Sequence, residues 1–244
     1  PFARLRADFE RAGATLIEDT DLDGVEEVYQ HNGILQAIIK LDSFASICEL
    51  DAYQLNHNFG DTLRSQTEHY HQKIQPGNNL AASHSASGIA SAHDRISYKH
   101  EINAEDIIPD DHPRSLFVDR LDGMFINYHS KAAALENNHF QSANTEYPIH
   151  KQFILDANRL QVIYHFSAKM AHVFITEINL AMPSCDGVGA RYRHRGEILG
   201  GLGQSLQLKD INEIAMDDDT LGGNVILTTS SPVTLRAHPH FSVS

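Results

Sequence analysis

Short runs of β-branched and aromatic residues, each closed off by Gly, Asn, Asp or Pro, constrain this chain more than any other feature. Gly33–Lys40 (GILQAIIK), Arg159–Phe166 (RLQVIYHF), Ala171–Leu180 (AHVFITEINL) and Asn224–Thr229 (NVILTT) all have this form. Their length, composition and bounding residues are those of strands. The chain is therefore expected to be all-β, a large antiparallel sandwich. Helical patterning is confined to Phe2–Ala12 and Thr62–Ile74, so one or two short helices are expected beside the strands. Gly77–Gly88 reads as a loop, and Asp217–Gly223 (DDDTLGG) as a tight connection between two late strands.

Length and charge narrow the possibilities further. All-β sandwiches reach roughly 250 residues as one unit, so 244 residues are read as a single domain spanning 15–244, with 1–14 as the end of a linker helix. A hydrophobic fraction of 41% suffices for a sizeable core, and no run approaches the ~18 apolar residues of a membrane span. A soluble protein with no membrane partner is expected. Asp and Glu number 32 against 19 Lys and Arg, and the basic residues are scattered. Nucleic-acid binding needs clustered Lys and Arg facing phosphates, so that partner is excluded. The sixteen His are dispersed, without the short repeated spacings of a metal set. Cys48 and Cys185 are too few for a disulfide framework.

One acidic stretch does carry metal-ligand spacing. Asp19-Thr-Asp21-Leu-Asp23-Gly24-Val25-Glu26-Glu27 matches the first half of a calcium loop, in which oxygens at alternate positions converge and Gly permits the turn. The second half departs from it: position 12, a bidentate Glu in an EF-hand, is Gln30, and the sequence that follows is strand-like. Two readings stay open. Calcium held by Asp19, Asp21, Asp23, Val25 through its carbonyl and Glu27 is one; an acidic turn at a hairpin tip is the other.

The stretch from Ile47 to His71 is the most specific. It runs Ile47-Cys-Glu49-Leu-Asp51, a polar turn, Asp61-Thr-Leu-Arg64, then Glu68-His-Tyr70-His71. Three further blocks follow in order. They are Ile89-Ala-Ser-Ala-His93-Asp94 with Lys99, Asp110-Asp-His-Pro-Arg-Ser-Leu-Phe117 with Asp119, and Phe174-Ile-Thr-Glu-Ile-Asn-Leu-Ala181, before a closing segment from Ser230 to Ser244. Together they resemble the C-terminal β-sandwich domain of glycoside hydrolase family 57, the α-amylase and 4-α-glucanotransferase group.

That resemblance implies a galactose mutarotase-like supersandwich, a fragment of a longer cytoplasmic enzyme whose N-terminal catalytic barrel lies outside this chain. The family's nucleophile and acid sit in barrel motifs that have no counterpart here, so no catalytic residue is assigned. The partners implied are the barrel and an α-glucan or maltooligosaccharide. Tyr70, His71, His93 and Asp94 become candidates for substrate contact, and Glu49, Asp51, Arg64 and Glu68 for the joint with the barrel.

Competing readings rest on other residues. Glu49 and Asp51, at i and i+2 on a strand, share a face about 6.5 Å apart and so have the geometry of a carboxylate pair. An aldose-epimerase-like enzyme needs a His and a carboxylate from distant strands, for which His93, His172 and Glu177 are available. An independent carbohydrate-binding module would use aromatic rings, and Tyr53, Tyr70, Tyr98, Tyr128, Tyr147 and Tyr192 are present without any Trp.

Overall fold

The computed structural model describes residues 15–62, 110–129, 139–166, 171–184 and 187–239. The chain divides into two compact units, Pro1–Thr62 with Ser115–Val243, and Leu63–Arg114 with Ser244. Of the second unit only 110–114 are described; there Arg114 Nε pairs with Asp110 Oδ2 at 2.9 Å.

In the first unit the chain forms β1 (Thr15–Glu18), β2 (Glu27–His31), β3 (Leu35–Lys40), β4 (Ile47–Ala52), β5 (His57–Asn58), β6 (Leu116–Leu121), β7 (Met124–Phe125) and β8 (His139–Gln141). It continues with β9 (Ile149–Asp156), β10 (Arg159–Phe166), β11 (Phe174–Ile178), β12 (Ala190–His194), β13 (Glu197–Gly201), β14 (Leu206–Asp218) and β15 (Gly223–Ala237). Among the described residues these strands make three antiparallel sheets. The largest has the order β1-β2-β3-β4-β6-β11, with β5 beside β4 and β7 beside β6; the others are β10-β9-β8 and β13-β12-β14-β15.

Alternation explains how two of these sheets become a sandwich. Val28, Leu35, Ala37, Ile39, Ile47 and Leu50 lie on one face of the large sheet and join Phe140, Ile149 and Phe153 of the three-stranded sheet in one buried cluster. Tight turns set the registers. Asp122-Gly123 between β6 and β7 and Arg195-Gly196 between β12 and β13 have positive φ at both positions, the hairpin turn whose twist matches that of strands. The four-stranded sheet has its own cluster around Tyr192, Ile211, Ile214 and Met216, continuous with the first through Leu180, Met182 and Val225.

The all-β antiparallel sandwich is thus the fold adopted, and the connection between β14 and β15 falls within Asp217–Gly223, at residues 219–222. Two details differ from expectation. Asn224–Thr229 and the start of the closing segment form one continuous strand, β15. Pro232 is accommodated because β15 is an edge strand, where a missing N–H costs no ladder bond. The only helical turn among the described residues is a short 3-10 turn, Tyr53–Leu55. The helix expected at Phe2–Ala12 and the loop at Gly77–Gly88 lie outside the described residues, as does all of Thr62–Ile74 except Thr62, which is not helical.

Candidate functional site

The acidic motif forms the loop that joins β1 to β2. Its backbone is folded by its own carboxylates: Asp23 N–H donates to Asp19 Oδ1 (3.2 Å) and Asp21 Oδ1 (3.1 Å), Gly24 N–H to Asp19 Oδ2 (3.0 Å) and Val25 N–H to Asp23 Oδ1 (2.9 Å). These are Asx-type bonds, which hold the loop whether or not a cation is present. Leu22 (φ 59°) and Gly24 (φ 88°) supply the two reversals that bring Asp19, Asp21, Asp23 and Glu27 together. One oxygen from each lies within 4.8 Å of the others. A hard cation prefers such a set of oxygens, so the residues present fit calcium.

Glu27 differs from the three aspartates in being buried. Its Oε2 accepts from the Thr20 amide (2.9 Å) and hydroxyl (3.0 Å), while Oε1, equally buried, has no hydrogen-bond partner. Lys40 faces it. The hairpin register places Lys40 directly opposite Glu27, and the Lys40 ammonium donates to Asp21 Oδ2 (3.0 Å) and Asp23 Oδ2 and stands 3.8 Å from Glu27 Oε1. Burial alone would lower the Lys40 pKa, but its bonds to Asp23 and Asp21 prevail and raise it; the Lys40 bond in turn holds the Asp23 carboxyl below its usual range.

Lys40 was not among the residues singled out from the sequence. The signal was available: a lysine closing a strand that pairs with the strand after the acidic loop falls on the same face as Glu27 by alternation.

Glu49 and Asp51 lie on the face of β4 opposite Leu50 and Ala52, which enter the core. They therefore share a face, half-buried, as the i, i+2 spacing requires. Asp51 Oδ2 accepts from Gln36 Nε2 (2.9 Å), and Gln36 Oε1 accepts from the Tyr53 hydroxyl (3.0 Å). His172 and Glu177 are not brought together. Five extended residues separate their Cα atoms by roughly 16 Å; His172 Nδ1 is bonded to Asp122 Oδ2 (2.7 Å) and Glu177 Oε1 accepts from Asn179 (2.9 Å).

The tyrosines are also committed. Tyr128 is buried with its hydroxyl on Asp119 (2.8 Å), Tyr192 is buried in the four-stranded sheet's cluster, and Tyr147 packs on the His172 ring at 4.4 Å between centroids. Arg64, Glu68, Tyr70, His71, His93, Asp94 and Tyr98 lie outside the described residues.

Comparison with known proteins agrees with this architecture. The chain spanning residues 19–244 matches the family model described as Alpha-amylase/4-alpha-glucanotransferase, C-terminal. No curated protein matches. Among solved structures, the 4-alpha-glucanotransferase from Thermococcus litoralis is similar with a TM-score of 0.65 and 16% sequence identity, over 97% of this chain and 35% of that one. The chain thus spans about a third of that protein's length, and at this identity the likeness concerns the fold. With nearly its whole length matched by the family model and an antiparallel sandwich as its fold, the chain belongs to the α-amylase/4-α-glucanotransferase C-terminal domain family.

Proposed function

We propose that this chain is the non-catalytic part of an α-1,4-glucan-processing enzyme of glycoside hydrolase family 57, supporting a catalytic barrel in the same polypeptide and contacting its glucan. The observation that carries this reading is the family match over residues 19–244, in a chain that spans 35% of the 4-alpha-glucanotransferase it resembles. On this reading residues 15–244 act as one sandwich that the segment 63–114 interrupts in sequence, and 1–14 end a linker. The cytoplasm is the proposed location, taken from the family that the sequence resembles. Among the described residues no helix is long and apolar enough to cross a membrane.

Four of the described carboxylates have structural roles: Asp51, Asp119, Asp122 and Glu177 each accept hydrogen bonds from neighbouring donors. Glu49 and Asp51 suit the joint with the barrel, being half-buried polar residues on the face that the sandwich core leaves over. Arg64 and Glu68 are proposed for the same joint, and Tyr70, His71, His93 and Asp94 for contact with glucan.

Isothermal titration with maltoheptaose, with a reducing-sugar assay on the same sample, tests the proposal. The expected result is no turnover, with weak binding or none. Turnover by this chain alone would overturn it; tight binding without turnover would instead identify an independent carbohydrate-binding module. Polarimetry with a free aldose covers the epimerase alternative, and accelerated mutarotation would establish it.

A further inference from the structure

The loop between β1 and β2 has the oxygens of a cation site and already has a cation in it, the ammonium of Lys40. We propose that this loop is a cation cage gated by Lys40, in which the lysine ammonium and a divalent cation of the calcium class exclude one another.

Three observations meet in the proposal. The first is the arrangement of donors: carboxylate oxygens of Asp19, Asp21, Asp23 and Glu27 lie within 4.8 Å of one another, with the backbone already wound round them by hydrogen bonds from Asp23, Gly24 and Val25. The second is Glu27 Oε1. The Glu27 side chain is 4% exposed, Thr20 saturates Oε2, and Oε1 is left buried without a hydrogen-bond donor. A buried carboxylate oxygen without a donor is costly unless a positive charge faces it. It faces the cage, and the nearest cation, Lys40 Nζ at 3.8 Å, is beyond hydrogen-bond reach. A metal ion bound to Oε1 would contact it directly, where the ammonium stands off at ion-pair distance.

The third is where Lys40 is rooted. Its backbone belongs to β3, across the ladder from Glu27, and not to the loop. A four-carbon stem lets the ammonium swing out while the loop stays wound. Both cations cannot remain, because an ammonium and a divalent ion a few ångström apart repel strongly in a half-buried site. The loop therefore binds divalent cations with the lysine as competitor.

The test is isothermal titration of metal-free protein with calcium chloride, on the natural chain and on Lys40→Met and Lys40→Arg, with thermal melts in parallel. Lys40→Met should bind at least about tenfold more tightly than the natural chain, while Lys40→Arg, which keeps the charge, should not gain. Adding Asp21→Asn to Lys40→Met should abolish the gain. In melts without metal Lys40→Met should be the less stable protein, and calcium should raise its midpoint more than that of the natural chain. Equal affinity in the natural chain and Lys40→Met overturns the proposal, as does the absence of calcium binding in both. A Lys40→Met protein that calcium fails to fold at any concentration overturns it as well.

Discussion

Asp119 on β6 and Lys151 on β9 meet between the two facing sheets, 2.8 Å apart, with neither side chain exposed to solvent. Each is fully supplied with partners. Asp119 also accepts from the hydroxyls of Tyr128 and Tyr164, both at 2.8 Å, and Lys151 donates to the carbonyl of Phe117. That carbonyl is available because Phe117 is the extra residue of a β-bulge: Val118 pairs with Glu177 and Leu116 with Ile178, leaving Phe117 unpaired at φ 67°. Burial pushes the Lys151 ammonium down from its usual range, opposed by Asp119. The local strain at Phe117 thus serves a polar tie across the sandwich, where close packing alone would have left register to side-chain shape.

Breaking this tie from one side should cost far more than removing it. Lys151→Met leaves a buried carboxylate with two tyrosine donors and no charge partner, and Asp119→Leu strands the ammonium; each should lose roughly 3–5 kcal/mol of stability. The double variant should recover much of that loss. Urea unfolding of the four proteins measures the coupling, and a double variant as unstable as the sum of the singles would contradict it.

Gly60 is expected to be intolerant of the smallest side chain. A Cβ there would meet Cys48 O at 2.5 Å and Glu49 Cα at 2.7 Å, both backbone atoms of β4 that no rotamer change can move. Gly60→Ala should therefore destabilise the chain by about 1–3 kcal/mol or more. Gly33→Ala is a useful comparison, since space is open there and only its φ of 85° is unfavourable. A smaller midpoint shift at Gly60 than at Gly33 in thermal melts would count against the close approach.

What the sequence disclosed and what it hid follow from physical range. Arg159–Phe166 was readable to its last residue, because its outer face is largely exposed, its inner face apolar, and a turn at Ala157-Asn158 precedes it. Strand β14 was not. Lys209, Asp210 and Glu213 lie on it, and register shifts between Leu208 and Ile211 and between Ile211 and Glu213 break the two-residue period that would have exposed it. The candidate loop was readable as a turn with carboxylates, which is local chemistry. Its counter-ion became readable only once β2 and β3 were paired as a hairpin, the register that sets Lys40 opposite Glu27. Lys151 looks like any surface lysine in the sequence, and its burial depends on Asp119, a partner 32 positions away that no local pattern can indicate.

Cys48 should be inert in the folded chain. It is the extra residue of a bulge in β4, since Ile38 pairs with Glu49 and Ile39 with Ile47; its thiol donates to the Ile38 carbonyl at 3.4 Å. Burial, with Glu49 and Glu27 nearby, pushes its pKa up to about 12. Only the thiolate attacks disulfides. In a Cys185→Ser background, Ellman's reagent at pH 8 should therefore leave Cys48 unmodified until urea unfolds the chain. Prompt reaction of the native protein would mean that the β3–β4 ladder opens readily at this point.

Asp218 should make the β14–β15 connection sensitive to acid. Burial would raise its pKa, but backbone amides prevail: its carboxylate accepts from Ser184 (2.9 Å), Thr220 (2.9 Å) and Leu221 (3.0 Å), and the pKa is lowered. A carboxyl with a folded pKa below its unfolded value of about 3.9 stabilises the fold above that value. The contribution is lost as pH falls through the folded pKa. Asp218→Asn keeps one acceptor oxygen and removes the charge, so it should cost about 1–3 kcal/mol at pH 7. The difference between the two proteins should shrink steadily below about pH 4, where the unfolded chain takes up the proton first. Urea unfolding of both proteins from pH 7 to pH 3 measures the gap, and a gap that stays constant across that range would show that the charge on Asp218 contributes nothing to holding Ser184 and the turn together.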